Sequence, residues 1–140
     1  MSKSSKNTAI VRTALSSPMI DLLNVFHGEC LDYGCGRGYD CDTLGIDGYD
    51  PNWRPDTVLK KYDVITCNYV LNVVEEKEQE EIIEHVKSLL NKGGRAFFTV
   101  RRDIKKDYEG KGYPQRLVYL DMESIYFRKN RYEIYFFENA

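Results

Sequence analysis

The stretch LDYGCGRGYD, Leu31 to Asp40, places glycine at three alternate positions, Gly34, Gly36 and Gly38. Glycine loses more conformational freedom on folding than any other residue, so such a cluster marks backbone that must take positive φ or be approached closely. Upstream, Glu29 to Tyr33 reads as a short strand. Downstream, Tyr39 to Gly45 leaves room for a short helix or turn before a second strand, Ile46 to Asp50, closed by Pro51. A glycine loop between a strand and a helix is where an α/β sheet meets its ligand, beyond the carboxyl ends of the strands.

Working outward, Leu15, Met19, Leu22, Leu23 and Phe26 share one helical face of Ala14 to Phe26, with Pro18 suited to the first turn and Ser16 or Ser17 to the cap. Past the loop holding Pro55, Lys61 to Asn68 carries the run Val64-Ile65-Thr66-Cys67, typical of a strand buried on both faces. Glu75 to Asn91 is the clearest helix, its stripe made by Ile82, Ile83, Val86, Leu89 and Leu90. Glu75, Glu76 and Glu78 suit the positive end of its dipole, Lys87 and Lys92 the negative end, and Gly93 its stop. Gly94 to Val100 follows as a strand. Asp103 to Gln115 reads as a polar loop, and Arg116 to Leu120 and Arg131 to Glu138 as strands around Met122 to Lys129. Strand-helix alternation closed by a β pair predicts an α/β fold, a doubly wound, mostly parallel sheet with an antiparallel C-terminal edge. One domain over residues 1–140 is expected, with a polar leader over 1–13.

The 140 residues are 42% hydrophobic with a formal charge of −2, which suits a single core and argues against a surface that binds nucleic acid throughout. No apolar run approaches the roughly 18 residues of a membrane helix. The opening MSKSSKNTA is too polar for a signal-peptide core, so a cytoplasmic protein with no membrane partner is expected. Cys30, Cys35, Cys41 and Cys67 include no CxxC pair. His27 with Cys30, Cys35 and Cys41 would supply four zinc ligands in number, but Cys30 falls at a strand and Cys35 inside the glycine loop. Reduced, buried thiols and no metal are the expectation.

The loop departs from the GxGxxG of dinucleotide sites, since Tyr39 stands where the third glycine would be, and no Gly-Lys-Ser/Thr of a phosphate loop follows. Instead Asp32 precedes the glycines in the order Asp-x-Gly-x-Gly-x-Gly. A carboxylate there repels a pyrophosphate and suits a cationic ligand.

With these residues the chain resembles the class I methyltransferases that use S-adenosyl-L-methionine, whose first motif is an acid-x-Gly-x-Gly-x-Gly loop after the first strand. The resemblance implies a minimal Rossmann-like fold and a small-molecule methyl donor held by Asp32, Gly34, Cys35, Gly36, Gly38, Asp50, Pro51 and Asn68. Asp50 in GYDP matches the acid that takes the ribose hydroxyls. YDVITCNYVLNVV, Tyr62 to Val74, looks like the strand and turn facing the acceptor, so Asn68 and Tyr69 are the candidate catalytic residues. A narrower resemblance, in DYGCGRG, TAIVRTALSSP and YVLNV, is to the methyltransferases associated with DNA phosphorothioation genes. The chain has little room for the family's third strand, and Asn68-Tyr69-Val70 lacks the prolines of base-methylating DNA enzymes. Trp53 could stack on adenine; packing at the sheet edge is the favoured reading.

Methyl transfer depends mainly on holding two reactants in line, so no Ser/His/Asp set is expected. Arg101 and Arg102 end the next strand and are candidates to meet an anionic substrate group. Arg95 to Arg116 contains seven basic and three acidic residues, with Tyr108 and Tyr113 interleaved, an arrangement that keeps nucleic acid among the possible acceptors. Two other uses of the pocket remain open: a donor-binding sensor or complex subunit without chemistry, and cleavage of S-adenosylmethionine itself.

Overall fold

Residues 11–110 and 113–140 are described by a computed structural model. The chain runs α1 (Ser17–Asp21), β1 (Cys30–Tyr33), α2 (Tyr39–Leu44), β2 (Asp47–Tyr49), β3 (Tyr62–Asn68), α3 (Glu76–Ser88), β4 (Leu90–Arg101), β5 (Tyr108–Gly110), β6 (Tyr113–Gln115), β7 (Glu123–Arg128) and β8 (Tyr132–Glu138). Short 3-10 turns lie at Leu23–Val25 and Leu71–Val73. The main sheet has the order β2-β1-β3-β4-β8-β7. Its first four strands are parallel, and β8 and β7 add antiparallel. From β1 the chain goes to β2 on one side, while β3 lies on the other. The winding therefore reverses between β1 and β3, where a crevice opens beyond the carboxyl ends.

Both faces of the sheet are covered, as the unbroken apolar runs require. On one face Ile82 and Val86 of α3 pack on Leu31, Ile65, Phe98 and Val100. On the other, Leu22 after α1 packs with Cys30, Val64, Phe97 and Ile134. Gly48 is paired with Asp32, and α2 lies so close over it that a Cβ there would stand 2.3 Å from Cys41 Sγ. α1 and α2 are joined because Ser16 donates to Asp40 through both its N–H (3.0 Å) and its hydroxyl (2.7 Å).

Several expectations are corrected. Ala14 to Phe26 is not one helix: Ser16 is extended and tied to Asp40, so α1 starts at Ser17 and gives way to the 3-10 turn. Asp103 to Gln115 contains the small hairpin β5–β6. Arg116 to Leu120 joins no sheet, and the second closing strand is β7, within the segment taken as a connection. Lys129 and Asn130 turn β7 into β8, with Asn130 at φ 61°. β4 also begins earlier than expected and absorbs Asn91 to Gly94 as an irregularity between the Tyr62–Leu90 and Val64–Arg95 pairs. Residues 50–61 hold no helix and no strand beyond the Asp50–Arg54 bridge, so a third strand is absent there. Among the described residues no helix is long and apolar enough to cross a membrane. The leader lies, up to residue 10, outside the described residues.

Candidate functional site

Asp32 leads from β1 into the crevice. Its carboxyl is buried and accepts a hydrogen bond from Thr66 Oγ1 on β3 at 3.0 Å. Burial first, and the neighbouring Asp40 second, push its pKa well above the usual carboxylate range. A carboxyl in this setting ionises readily only when a cation shares the site. The loop then passes through Gly34, Gly36 and Gly38 at φ 80°, 58° and 92°, in the left-handed region that a Cβ penalises.

The loop is fastened to β2. Gly34 and Cys35 donate their N–H groups to Tyr49 O at 2.7 and 3.0 Å, and Gly36 N–H donates to Asp50 Oδ2 at 3.0 Å. Asp50 Oδ1 accepts the N–H groups of Asn52 (2.8 Å) and Trp53 (3.2 Å), an Asx-type turn. Gly38 serves packing as well as the turn. A Cβ there would meet Arg54 Nη2 at 2.0 Å, and that guanidinium is held by both Asp42 oxygens and by Arg37 O. The guanidinium of Arg37 lies over the Trp53 ring, 4.3 Å from its centre.

On the far side of the switch point, Asn68 Oδ1 accepts the Thr99 hydroxyl at 2.7 Å, leaving Asn68 Nδ2 buried without a partner. Tyr69 follows at φ 61°, strained for so bulky a side chain, and is fixed by its N–H donating to Thr99 O at 2.9 Å. Its ring meets Tyr132 edge-on at 6.3 Å. Burial raises the Tyr69 phenol pKa. Asn72 is 1% exposed, donates through Nδ2 to Gln115 Oε1 at 2.8 Å, and has no partner for Oδ1.

One cleft gathers Asp32, Gly34, Cys35, Gly36, Gly38, Asp50, Asn68, Tyr69 and Arg101. Pro51 sits in the adjoining turn and does not line it. Arg102 is a correction: it points away, 5% exposed, with its guanidinium on Glu133 at 2.8 Å, on the Tyr135 hydroxyl at 2.9 Å and over the Tyr119 ring. Adjacent strand residues face opposite sides, so Arg101 and Arg102 could not share the cleft. Ser16, Asp40, Asn72 and Gln115 also line it and escaped the sequence reading as site residues, and Arg12, at the end of the basic leader, lines it too. Asp40 and Asn72 had a signal, an acid two residues after the last glycine and an amide inside an apolar run.

Zinc has no site among the described residues, where no group of three or more His, Cys, Asp or Glu is placed to hold a metal. Cys30 instead donates to His27 O, and all four thiols are free.

The comparison with curated proteins found no match. Among solved structures, the chain is similar to magnesium protoporphyrin IX methyltransferase from Synechocystis PCC 6803 with bound SAM. That pair has a TM-score of 0.51 and 12% identity over 89% of this chain and 76% of the other. It is also similar to DhpI in complex with SAH, at a TM-score of 0.54 and 13% identity over 84% and 80% of the two chains. PKMT2 from Rickettsia typhi in complex with AdoHcy overlaps 52% of this chain and 21% of its own, at a TM-score of 0.40 and 21% identity. The third of these overlaps is too partial to carry an argument, and at such identities the first two establish a shared fold. A family model described as a methyltransferase domain matches residues 10–133, and with nearly the whole chain inside that match this protein belongs to the methyltransferase-domain family.

Proposed function

We propose that this chain takes a methyl group from S-adenosyl-L-methionine and passes it to an acceptor beside Tyr69. One observation carries the reading: a buried carboxyl with a raised pKa, Asp32, lies under a left-handed glycine loop at the point where the sheet winding reverses. That combination suits a ligand which is cationic and must approach backbone closely. The partnerless Asn68 Nδ2 fits too, as a donor waiting for a ligand acceptor. The two structural neighbours that overlap most of this chain carry SAM and SAH.

In this reading Asp32 and the loop Gly34, Cys35, Gly36 and Gly38 hold the amino-acid end of the donor, and Asp50 takes the ribose hydroxyls. Asn68 and Tyr69 orient the acceptor. The donor supplies an electrophilic methyl on a positively charged sulfur. The chain's own contribution is alignment, which can provide about 7–11 kcal/mol of a barrier of this kind.

Calorimetric titration with S-adenosylmethionine and S-adenosylhomocysteine tests the reading. Asp50 also anchors three backbone N–H groups, so Asp50→Asn is a cleaner variant than Asp50→Ala. A loss of about 1.5–3 kcal/mol is expected, as for hydrogen bonds to a charged group. Unchanged affinity in a folded Asp50→Asn protein removes the ribose assignment, and no donor binding by the parent protein removes the methyltransferase reading.

A further inference from the structure

A second cavity opens at the same end of the sheet, further along from the glycine loop, where β4 ends and β8 begins. Tyr69, Arg101, Asp103, Asn130, Arg131 and Tyr132 line it, with Ser17 at its rim. Tyr69 and Arg101 also line the donor cleft, so the two spaces share a wall. That wall is held in place by strain and by charge. Tyr69 is kept at φ 61° by the end of β4, and Arg101 is clamped by Asp103 through Nε at 2.8 Å and Nη2 at 2.5 Å.

The charge of this space differs from that of the donor cleft. Three carboxylates, Asp32, Asp40 and Asp50, and three guanidinium groups, Arg12, Arg37 and Arg101, line the donor cleft, so their formal charges balance. In the second cavity two guanidinium groups face one carboxylate, and that carboxylate is engaged with Arg101. Lys105 Nζ donates to Asn130 Oδ1 at 2.6 Å and brings a third cation to the rim. Arg131 is exposed, and a guanidinium offers a planar fork of donors matched to carboxylate and phosphate oxygens. Tyr69 and Tyr132 meet edge to face in the same wall, which favours a flat ring beside them.

We propose that this cavity is the methyl-acceptor subsite and that it takes a small planar molecule bearing an anionic group, a carboxylate or a phosphate ester, held by Arg131 and Arg101. The assignment rests on the methyltransferase reading. A lone pair on the acceptor forms the bond to the methyl carbon as the carbon–sulfur bond breaks. The bonding pair stays on sulfur, which becomes neutral, and the acceptor's proton leaves to water. A nucleic acid is the less favoured acceptor because part of the basic surplus is internally matched away from the cavity: Arg95 pairs with Glu138 and Arg102 with Glu133.

The test uses the full chain saturated with S-adenosylhomocysteine and titrated with matched probes: 4-hydroxybenzoate and 4-aminobenzoate, their amides, phenyl phosphate, and a single-stranded oligonucleotide. Anionic probes should bind and the amides should not. Stronger binding of the benzoates identifies a carboxylate, and of phenyl phosphate a phosphate ester. Arg131→Gln should weaken the favoured probe on the order of tenfold, as loss of a charge-assisted pair does, with Arg131→Lys recovering part of it. S-adenosylhomocysteine affinity should stay the same in both variants. Equal binding of amides, no binding of any small anion, binding by the oligonucleotide alone, or indifference to Arg131→Gln would each overturn the proposal. Loss of S-adenosylhomocysteine binding by the parent chain would instead count against the methyltransferase reading, so the two failures are distinguishable.

Discussion

Asp32 holds the sharpest conflict between stability and binding. Its pKa is raised by burial and by Asp40, so in the free protein its carboxyl keeps its proton above the ordinary value of about 3.9. Stability from this group is fully present below that ordinary value and is lost as pH rises through the raised one. Asp32→Asn keeps an acceptor for Thr66 Oγ1 and removes the titration. Its melting temperature near neutral pH should therefore equal or exceed that of the parent, with a flatter dependence on pH. Donor binding has the opposite sign, because a sulfonium or ammonium favours the carboxylate. Affinity for S-adenosylmethionine should climb with pH through the raised pKa and then level, with protons released in that window, and Asp32→Asn should abolish the climb. Calorimetry in buffers of different ionisation enthalpy measures this, and a flat parent profile would refute the role. The sequence showed Asp32 because an acid ahead of three glycines is a local pattern. It could not show Tyr69 at positive φ, since that strain is imposed by β4 and nothing in NYV announces it.

At the level of elements, Arg102 shows how a strand end can mislead. Two consecutive arginines read as paired substrate contacts, but alternation sends one to the cleft and the other into the seam between β4, β8 and the 116–120 segment. Arg102→Ala leaves the largely covered Glu133 carboxylate, 13% exposed, with only the Ser124 and Tyr135 hydroxyls as partners, so chemical denaturation should show a loss of about 3 kcal/mol. Donor affinity of the folded fraction should be unaffected, and a stability change below 1 kcal/mol, roughly the worth of a surface pair, would disprove the seam. β1, β3 and α3 were legible because their burial comes from local period and run length. β7 was not. Its residues are mostly exposed, so it lacks the alternation of a half-buried strand, and its identity comes from pairing with β8.

For the whole molecule, the legible part was the order of parallel strands and their glycine loop, whose signals lie close together in sequence. The illegible part was everything assembled across distance: Ser16 on Asp40, Gln115 on Asn72, and the second cavity drawn from both ends of the chain. The sheet also ends abruptly. Among the described residues β7 pairs only with β8, and it carries Ile125 and Phe127 at 45% and 57% exposure. Such an edge invites pairing with another chain. Phe127→Lys should reduce concentration-dependent association, read by light scattering, without lowering the melting temperature. Equal scattering from parent and variant would show that this edge is not the adhesive one.

The position of Cys35 gives the protein a built-in gauge of occupancy. Of the four cysteines, Cys30, Cys41 and Cys67 are buried, whereas Cys35 is partly exposed on the wall of the donor cleft. Its hydrogen bond to Cys41, and then burial, raise its pKa, so it reacts slowly near neutral pH and faster as pH rises. Alkylation by iodoacetamide, followed by mass spectrometry, should therefore label Cys35 first. Saturating S-adenosylhomocysteine should suppress that labelling, and labelling that proceeds unchanged would place the ligand elsewhere. One native thiol thus reports, without dyes or engineered tags, whether the cleft is filled in any preparation of the protein.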